Sequence, residues 1–467
     1  MNRLPPEIIS FIAQWVLRID WIRPGPIIPL THVCKYWRNS IISAPENWTR
    51  ISNCRTKLAE LSLERAKAAP LEVSITFGFG NRSFDLLLPH AHKVVSLECD
   101  GLTAMEELAQ ALPNFPKSMP KLQSLSLSSH TYNDRGRVID PFDFSTHTTL
   151  RKLSLYDFPL LPSFLGLRAL TEFNLLATGR SLHVDTLLRF LEENQSLEHA
   201  SLNVNFEEAS LSRPRRQIPI KSTLQYLLIF CGDEGVAKLL ISNIALRKGA
   251  TLELTHARCG AFERILSGVS TTHLPGLSSP ISMEYQLSPR RIQLLGTDGS
   301  SFMYASGEGP PLLGVEFPVL RLANMRELRF KCYRSWVPSH LHLSSFPSLE
   351  ILAVGAHDTG DLFAYDDDSP FDLFTPRGSL SPVLPDPRSS PSLKTLAFLD
   401  RAITEDFMAK LTRVALDRRN HTSTSLRRVV IMNSEGRFPS VGSIKRLRKY
   451  VSIVELLEGK ELPKGLS

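Results

Sequence analysis

One short apolar phrase, with apolar residues at relative positions 1, 4 and 6, recurs along the chain and constrains its fold more than any other feature. It occurs as Val94/Leu97/Cys99, Leu122/Leu125/Leu127, Leu150/Leu153/Leu155, Leu170/Phe173/Leu175, Leu197/Ala200/Leu202 and Leu224/Leu227/Ile229, at intervals of 28, 28, 20, 27 and 27 residues. It returns as Met325/Leu328/Phe330, Leu349/Leu352/Val354, Leu393/Leu396/Phe398 and Leu426/Val429/Ile431, at intervals of 24, 44 and 33. Positions 4 and 6 leave one face of an extended chain and positions 3 and 5 leave the other, so each copy predicts one short strand. About 20 residues separate one strand from the next, too many for a hairpin, so a crossover lays successive strands parallel. Two spacers have helical spacing: Leu182–Glu193 sets Leu187, Leu188 and Leu191 on one face, and Leu102–Leu112 does the same with Leu108 and Leu112. Strand plus crossover, repeated and stacked, is an α/β solenoid.

The array is interrupted twice. Gly249/Leu252/Leu254 still fits the phrase, but Ile292 to Ala305 reads as two strands about an Asp298-Gly299 turn, a hairpin inserted near 280–310. Residues 361–391 hold Asp366, Asp367, Asp368 and six prolines, and read as a loop that lengthens one interval to 44 residues. The phrase also accounts for the leucine content, 72 of 467 residues.

Residues 1–51 do not follow the phrase. Leu4-Pro5-Pro6-Glu7-Ile8-Ile9 opens a helix with proline in its first turn, and Ile8, Ile12, Val16 and Ile19 predict its buried face. After Pro24, Gly25, Pro26 and Pro29, a second helical pattern places Leu30, Val33, Cys34, Trp37 and Ile41 together, and Pro45 ends it before Trp48 and Ile51. In one reading Val33, Trp37 and Trp48 cap the exposed end of the array.

These residues also carry a resemblance. LPPEII at Leu4–Ile9, LTHVCKYWR at Leu30–Arg38 and PENW at Pro45–Trp48 resemble the F-box in order and spacing, and the repeated phrase resembles the leucine-rich repeat. The whole layout is similar to divergent fungal F-box proteins with C-terminal repeats. Two departures stand out: the repeat family's asparagine is replaced by His130, Phe158 or Thr178, and a proline-rich stretch, Arg23–Pro29, stands where the F-box has a short helix. The resemblance implies a helical F-box at 1–51 and an irregular leucine-rich-repeat solenoid at 52–467 with a parallel sheet on its concave face. It implies the substrate-recognition subunit of an SCF ubiquitin ligase, not an enzyme, with Leu4, Pro5, Ile8, Leu30, Val33, Cys34 and Trp37 binding a Skp-type adaptor and through it a cullin. The alternative is a repeat scaffold or RNA-associated adaptor with no ligase link.

Substrate choice would fall to positions 3 and 5. These are polar in the first half, as in Ser124/Ser126, Lys152/Ser154, Glu172/Asn174 and His199/Ser201, and more apolar later, as in Tyr226/Leu228, Ile351/Ala353 and Thr395/Ala397. Tyr226, Arg329, Ile351 and Arg428 are accordingly the expected substrate contacts, with burial of this face as the alternative.

Charge and motif content narrow the remaining classes. A net charge of +7 comes in short basic clusters without the aromatic interleaving or motif spacing of nucleic-acid modules, so the sequence disfavours nucleic acid. Six dispersed cysteines with no CxxC pair suggest neither a zinc site nor a disulfide framework. No GxSxG, HExxH, P-loop or GxGxxG supports catalysis, a metal or a cofactor. Pro5, Pro6 and Glu7 interrupt what would be a signal peptide, and no apolar run spans a membrane, so a cytoplasmic or nuclear location is expected.

Overall fold

The computed structural model describes residues 4–19, 27–52, 56–76, 82–102, 115, 117–129, 144, 147–158, 160–182, 184–206, 220–221, 223–231, 234–256, 265–266, 269, 274, 280–287, 290–306, 322–332, 346–356, 392–399, 405–421, 425–432 and 439–457. The expected Leu102–Leu112 helix and the 361–391 loop lie outside these residues. The chain divides into two compact units, one of residues 1–214 with 222–224 and one of 215–221 with 225–467. This division falls within the repeats and not at residue 51, so the N-terminal helices and the first strands share a unit.

In the first unit α1 (Pro6–Ile19), α2 (Ile27–Thr31) and α3 (Lys35–Ser43) precede a 3-10 turn at Pro45–Trp48. There follow β1 (Arg50–Ser52), α4 (Thr56–Ala66), β2 (Leu71–Thr76), α5 (Arg82–Leu87), β3 (Val94–Leu102), β4 (Ser124–Ser129), β5 (Lys152–Tyr156), β6 (Glu172–Leu182), α6 (Val184–Glu193) and β7 (His199–Phe206). All seven strands pair in parallel, in chain order. In the five copies of the phrase from Val94 to Leu202, every side chain at positions 1, 4 and 6 is at most 2% exposed. A leucine so buried contributes about 1.5–3 kcal/mol, so the phrase is the core of this unit. The spacer helix α6 closes it with Leu187, Leu188, Phe190 and Leu191, all buried.

Two strands of this ladder carry no copy of the phrase that the sequence disclosed. Val73 of β2 is in register with Leu97, and Ile51 of β1 with Val73.

The turns are tied by hydroxyls instead of asparagine. Thr149, Ser196 and Thr223 each stand one residue before position 1 and donate to carbonyls of an earlier turn: Thr149 Oγ1 to Leu122 at 2.9 Å, Ser196 Oγ to Arg168 at 2.7 Å and Leu170 at 3.1 Å, and Thr223 Oγ1 to Gln195 at 2.7 Å and Leu197 at 2.8 Å. Serine recurs at the same place as Ser348, Ser392 and Ser425.

The second unit begins with β8 (Ile220–Lys221), β9 (Tyr226–Cys231), α7 (Glu234–Asn243), β10 (Ile244–Ala245) and β11 (Thr251–His256). It continues through β12 (Pro280–Leu287), β13 (Arg290–Gly296), β14 (Ser301–Ser306), β15 (Glu327–Cys332), β16 (Ile351–Ala356), β17 (Thr395–Leu399), α8 (Glu405–His421), β18 (Arg428–Met432), α9 (Val441–Leu447) and β19 (Ile453–Leu457). From β15 to β19 the strands pair in parallel and in chain order. Val451, Val454 and Leu456 form a further copy of the phrase, with Val454 in register with Val429.

The insert is larger than the expected hairpin. Three strands, β12, β13 and β14, form an antiparallel meander in which β14 lies parallel to β11 and β12 parallel to β15. Strand direction explains the number: a meander of three begins and ends in the same direction, so both neighbours keep parallel pairing. The Asp298-Gly299 turn joins β13 to β14, with the Asp298 carboxylate accepting from Ser300 N–H at 3.0 Å. Gly299 has φ +80°, and Gly249, at the matching place before β11, has φ +78°. Nothing crowds either glycine, so it is the left-handed backbone that calls for glycine there.

Candidate functional site

The N-terminal helices carry two apolar faces where one was expected. On α1 the buried residues are Ile9, Ser10 and Ala13, and Ser10 Oγ donates to Asn47 Oδ1 at 3.0 Å. Phe11 and Trp15 are 61% and 58% exposed, and Leu4 and Ile8 45% and 44%. At about 100° per residue, Ile8, Phe11 and Trp15 fall within roughly 60° of one another and about 180° from the buried centre. The expected inner face of Ile8, Ile12, Val16 and Ile19 is therefore not what packs at three of its four positions: Ile12 and Val16 are half-buried on the flank, and Ile8 faces solvent, while the Ile19 side chain lies outside what is described.

The second helical pattern is broken at Cys34. Leu30 ends up half-buried on α2, and Pro29 sits within the first turns of that five-residue helix. Cys34 is the N-cap of α3, its Sγ accepting from Trp37 N–H at 3.5 Å. Val33 is 58% exposed, Cys34 is exposed and Trp37 is half-buried. Tyr36 Oη donates to the Leu4 carbonyl at 2.9 Å, which holds the start of α1 against the start of α3, where Val33 and Cys34 lie. Pro5 is exposed at the same end.

Of the three residues expected to cap the array, Trp48 is the one sealed in. Trp48 is 1% exposed, its indole N–H donates to the Ile41 carbonyl at 3.0 Å, and the Arg65 guanidinium lies 4.3 Å above its ring. The two sequence readings thus divide: Trp48 seals α3 onto α4, while Val33 is 58% exposed.

Opposite the repeat core, positions 3 and 5 form rows across each sheet. In the first unit one row runs Glu72, Ser96, Ser124, Lys152, Glu172, His199 and another Ser74, Glu98, Ser126, Ser154, Asn174, Ser201. Lys152 Nζ lies 2.6 Å from Glu172 Oε1, Asn174 donates to Ser154 Oγ at 3.2 Å, and Arg50 pairs with Glu72 at 2.9 Å. Burial acts to raise the Glu172 carboxyl, but hydrogen bonds from Lys152 and Asn174 outweigh it and hold it below its usual range. Glu98 behaves oppositely: burial, and then the nearby Asp100 charge, raise its carboxyl against a hydrogen bond from Ser74.

In the second unit the same face has three zones. From β9 across to β13 it is open: Tyr226 Oη donates to Glu253 at 2.8 Å, Phe230 on β9 is 38% exposed and Leu295 on β13 is 39% exposed. In the middle, Arg329 is half-buried and its Nε donates to Glu327 at 2.7 Å. Over β16–β18 the face is closed: Ile351, Ala353, Ala397, Val430 and Met432 form a buried cluster with Leu457 packed against it. Arg428, beside that cluster, pairs with Glu455 at 2.8 Å.

Ile351 is the expected contact that this arrangement removes. At 6% exposure it belongs to a core. Tyr226, Arg329 and Arg428 stay half-buried, each bonded to a carboxylate. Phe230 lies four residues beyond Tyr226 on β9, and Leu295 three strands across in the same row as Tyr226; both are on the open face, and sequence reading missed both.

Among the described residues no group of three His, Cys, Asp or Glu could hold a metal ion, and no helix is long and apolar enough to cross a membrane. Cys34 and Cys99 are free thiols, exposed and buried respectively.

No protein-family profile matches the chain, and no curated protein matches it. Among solved structures, a crystal structure of a TLR13–ssRNA13 complex aligns over 88% of this chain and 52% of that one, at 14% identity and a TM-score of 0.28. The chain thus spans about half the length of that protein, and at this score the likeness carries no argument about binding.

Proposed function

We propose that the chain is a leucine-rich-repeat protein with an N-terminal F-box, and that it selects substrates for an SCF ubiquitin ligase. The observation that supports this reading is the second apolar face of α1: a protein seldom leaves several large side chains in one exposed stripe without a partner. Leu4, Pro5, Ile8, Val33 and Cys34, with the half-buried Leu30 and Trp37 beside them, match the positions through which an F-box meets its Skp-type adaptor. A few desolvated aliphatic and aromatic anchors dominate such interfaces, and Phe11 and Trp15 lengthen the stripe. Substrate then belongs on the open face of the repeats, on the zone of Tyr226, Phe230 and Leu295.

Co-purification tests the first half. The full chain should retain adaptor and cullin, and Leu4→Ala with Pro5→Ala, or Ile8→Asp alone, should lose both while the circular dichroism spectrum stays unchanged. Retention by a folded variant would instead favour a repeat scaffold without a ligase link.

A further inference from the structure

Cations from three separate stretches of sequence meet at one edge of the second unit, where its last strands begin. Residues 405–457 hold eleven Lys and Arg against five Asp and Glu, a net +6 in a chain whose total is +7. Helices α8 and α9 pack together, and Arg419, in the last turn of α8, donates from Nη1 to the Lys449 carbonyl at 3.0 Å. Arg427 joins them because its carbonyl accepts from Ile453 N–H at 2.9 Å, close after Lys449 in the chain. Arg419, Arg427, Lys445, Arg448 and Lys449 are all exposed.

Of the carboxylates whose side chains are described in this region, two are engaged elsewhere. Glu405 accepts from Ser440 N–H at 3.3 Å at the other end of the two helices, where Arg446 also reaches it. Glu455 pairs with Arg428 on the opposite face of the sheet, and Asp417 is half-buried. Cations at helix C-termini offset the partial negative charge of the last carbonyls, but Arg427 belongs to neither helix.

We propose that this edge docks the phosphate backbone of a double-stranded nucleic acid, without reading its bases. A protein partner would need apolar or aromatic anchors. Among the described residues the exposed large apolar side chains nearest in the chain are Val441, at the far end of α9, and Ile453, on the open face beside Arg428, and Tyr450 is half-buried, so this edge presents mainly charge. Affinity for a polyphosphate needs nothing more, because it comes from counterion release. The sequence disfavoured nucleic acid because its basic clusters are short; the fold adds three of them together.

Fluorescence anisotropy of the full chain with a labelled 20-base-pair RNA duplex of mixed sequence tests this, with a DNA duplex and polyglutamate as competitors. Micromolar binding is expected at 50 mM salt, weakened on the order of a hundredfold at 200 mM if about four phosphates are met. The variant Lys445→Glu/Arg448→Glu/Lys449→Glu should lose at least tenfold and flatten the salt dependence. Lys57→Glu/Lys117→Glu/Lys121→Glu, an equal change of net charge on exposed lysines of the first unit, should stay within twofold. Should the first variant not fold, Arg448→Gln/Lys449→Gln takes its place, with at least a threefold loss expected. Absence of binding at 50 mM salt, equal losses in the two charge-reversed variants, or competition by polyglutamate as strong as by duplex would each overturn the proposal. Adaptor co-purification bears on none of these outcomes.

Discussion

The Thr223 hydroxyl donates to the Leu197 carbonyl at 2.8 Å, so a side chain from one turn of the array satisfies the backbone of the turn before it. The same hydroxyl also reaches Gln195 at 2.7 Å. Thr223→Val keeps the shape and removes both bonds, at a cost of about 1 kcal/mol, while Thr223→Ser should be near neutral. Urea denaturation would show the difference, and an unchanged midpoint for the valine variant would mean that the hydroxyl is incidental.

Two tryptophans of the N-terminal helices should respond in opposite ways. Trp48→Ala leaves a cavity under Arg65 and should destabilise the first unit by about 3–5 kcal/mol. Trp15→Ala, at 58% exposure, should change stability by no more than about 0.5 kcal/mol yet weaken adaptor retention. Thermal melts alongside co-purification separate these effects; equal destabilisation would show that Trp15 packs.

Glu98 and Glu172 should give pH dependences of opposite sign. The folded-state pKa of Glu98 is raised, chiefly by burial, so its contribution to stability grows as pH falls from that value toward the unfolded one, and Glu98→Gln should raise the melting temperature at pH 7. Burial also acts on Glu172, but its hydrogen bonds prevail and its pKa is lowered. Its contribution is therefore present above the unfolded pKa and lost as pH falls through the folded one, so Glu172→Gln should lower the melting temperature at pH 7. Melting curves between pH 3 and pH 8, a range on the order of the carboxylate titration window, would expose a shared sign if this assignment were mistaken.

A charge at Ile351 should be felt by the fold and not by a substrate. Ile351→Asp places a carboxylate in a closed apolar cluster and should cost about 3 kcal/mol or more. Phe230→Asp and Leu295→Asp, on the open zone, should leave the melting temperature within a few degrees, roughly what ~0.5 kcal/mol shifts, and abolish substrate capture. Capture that survives both would remove the substrate from this zone.

Much of this fold was legible because the phrase at positions 1, 4 and 6 is a burial pattern, and burial is what those residues do. The serine or threonine before position 1 was also present in the sequence; it escaped notice because a hydroxyl there reads as loop polarity until its acceptor is seen. Closure of the open face had a signal too. ILAVGA in β16 and RVVIM in β18 are near-continuous apolar runs, as strands buried on both faces require. The second face of α1 could not be told from the first, since Ile8, Phe11, Ile12, Trp15 and Val16 form one broad apolar side beside a narrower polar stripe of Glu7, Ser10, Gln14 and Arg18, and which part packs depends on Asn47 and Trp48 more than 30 residues away. The edge of cations was hidden for a related reason: its members are near one another only after α8 and α9 have folded back.

The odd number of strands in the meander bears on the ancestry of the chain. Because β14 faces β11, and β12 faces β15, in the direction those neighbours already share, a chain without the three strands would bring β11 beside β15 with neither inverted. Leu252 is in register with Phe302, and Met283 with Leu328, so the same core row would run through such a junction. A segment of this kind can be gained or lost in one genetic event without rewriting what lies downstream.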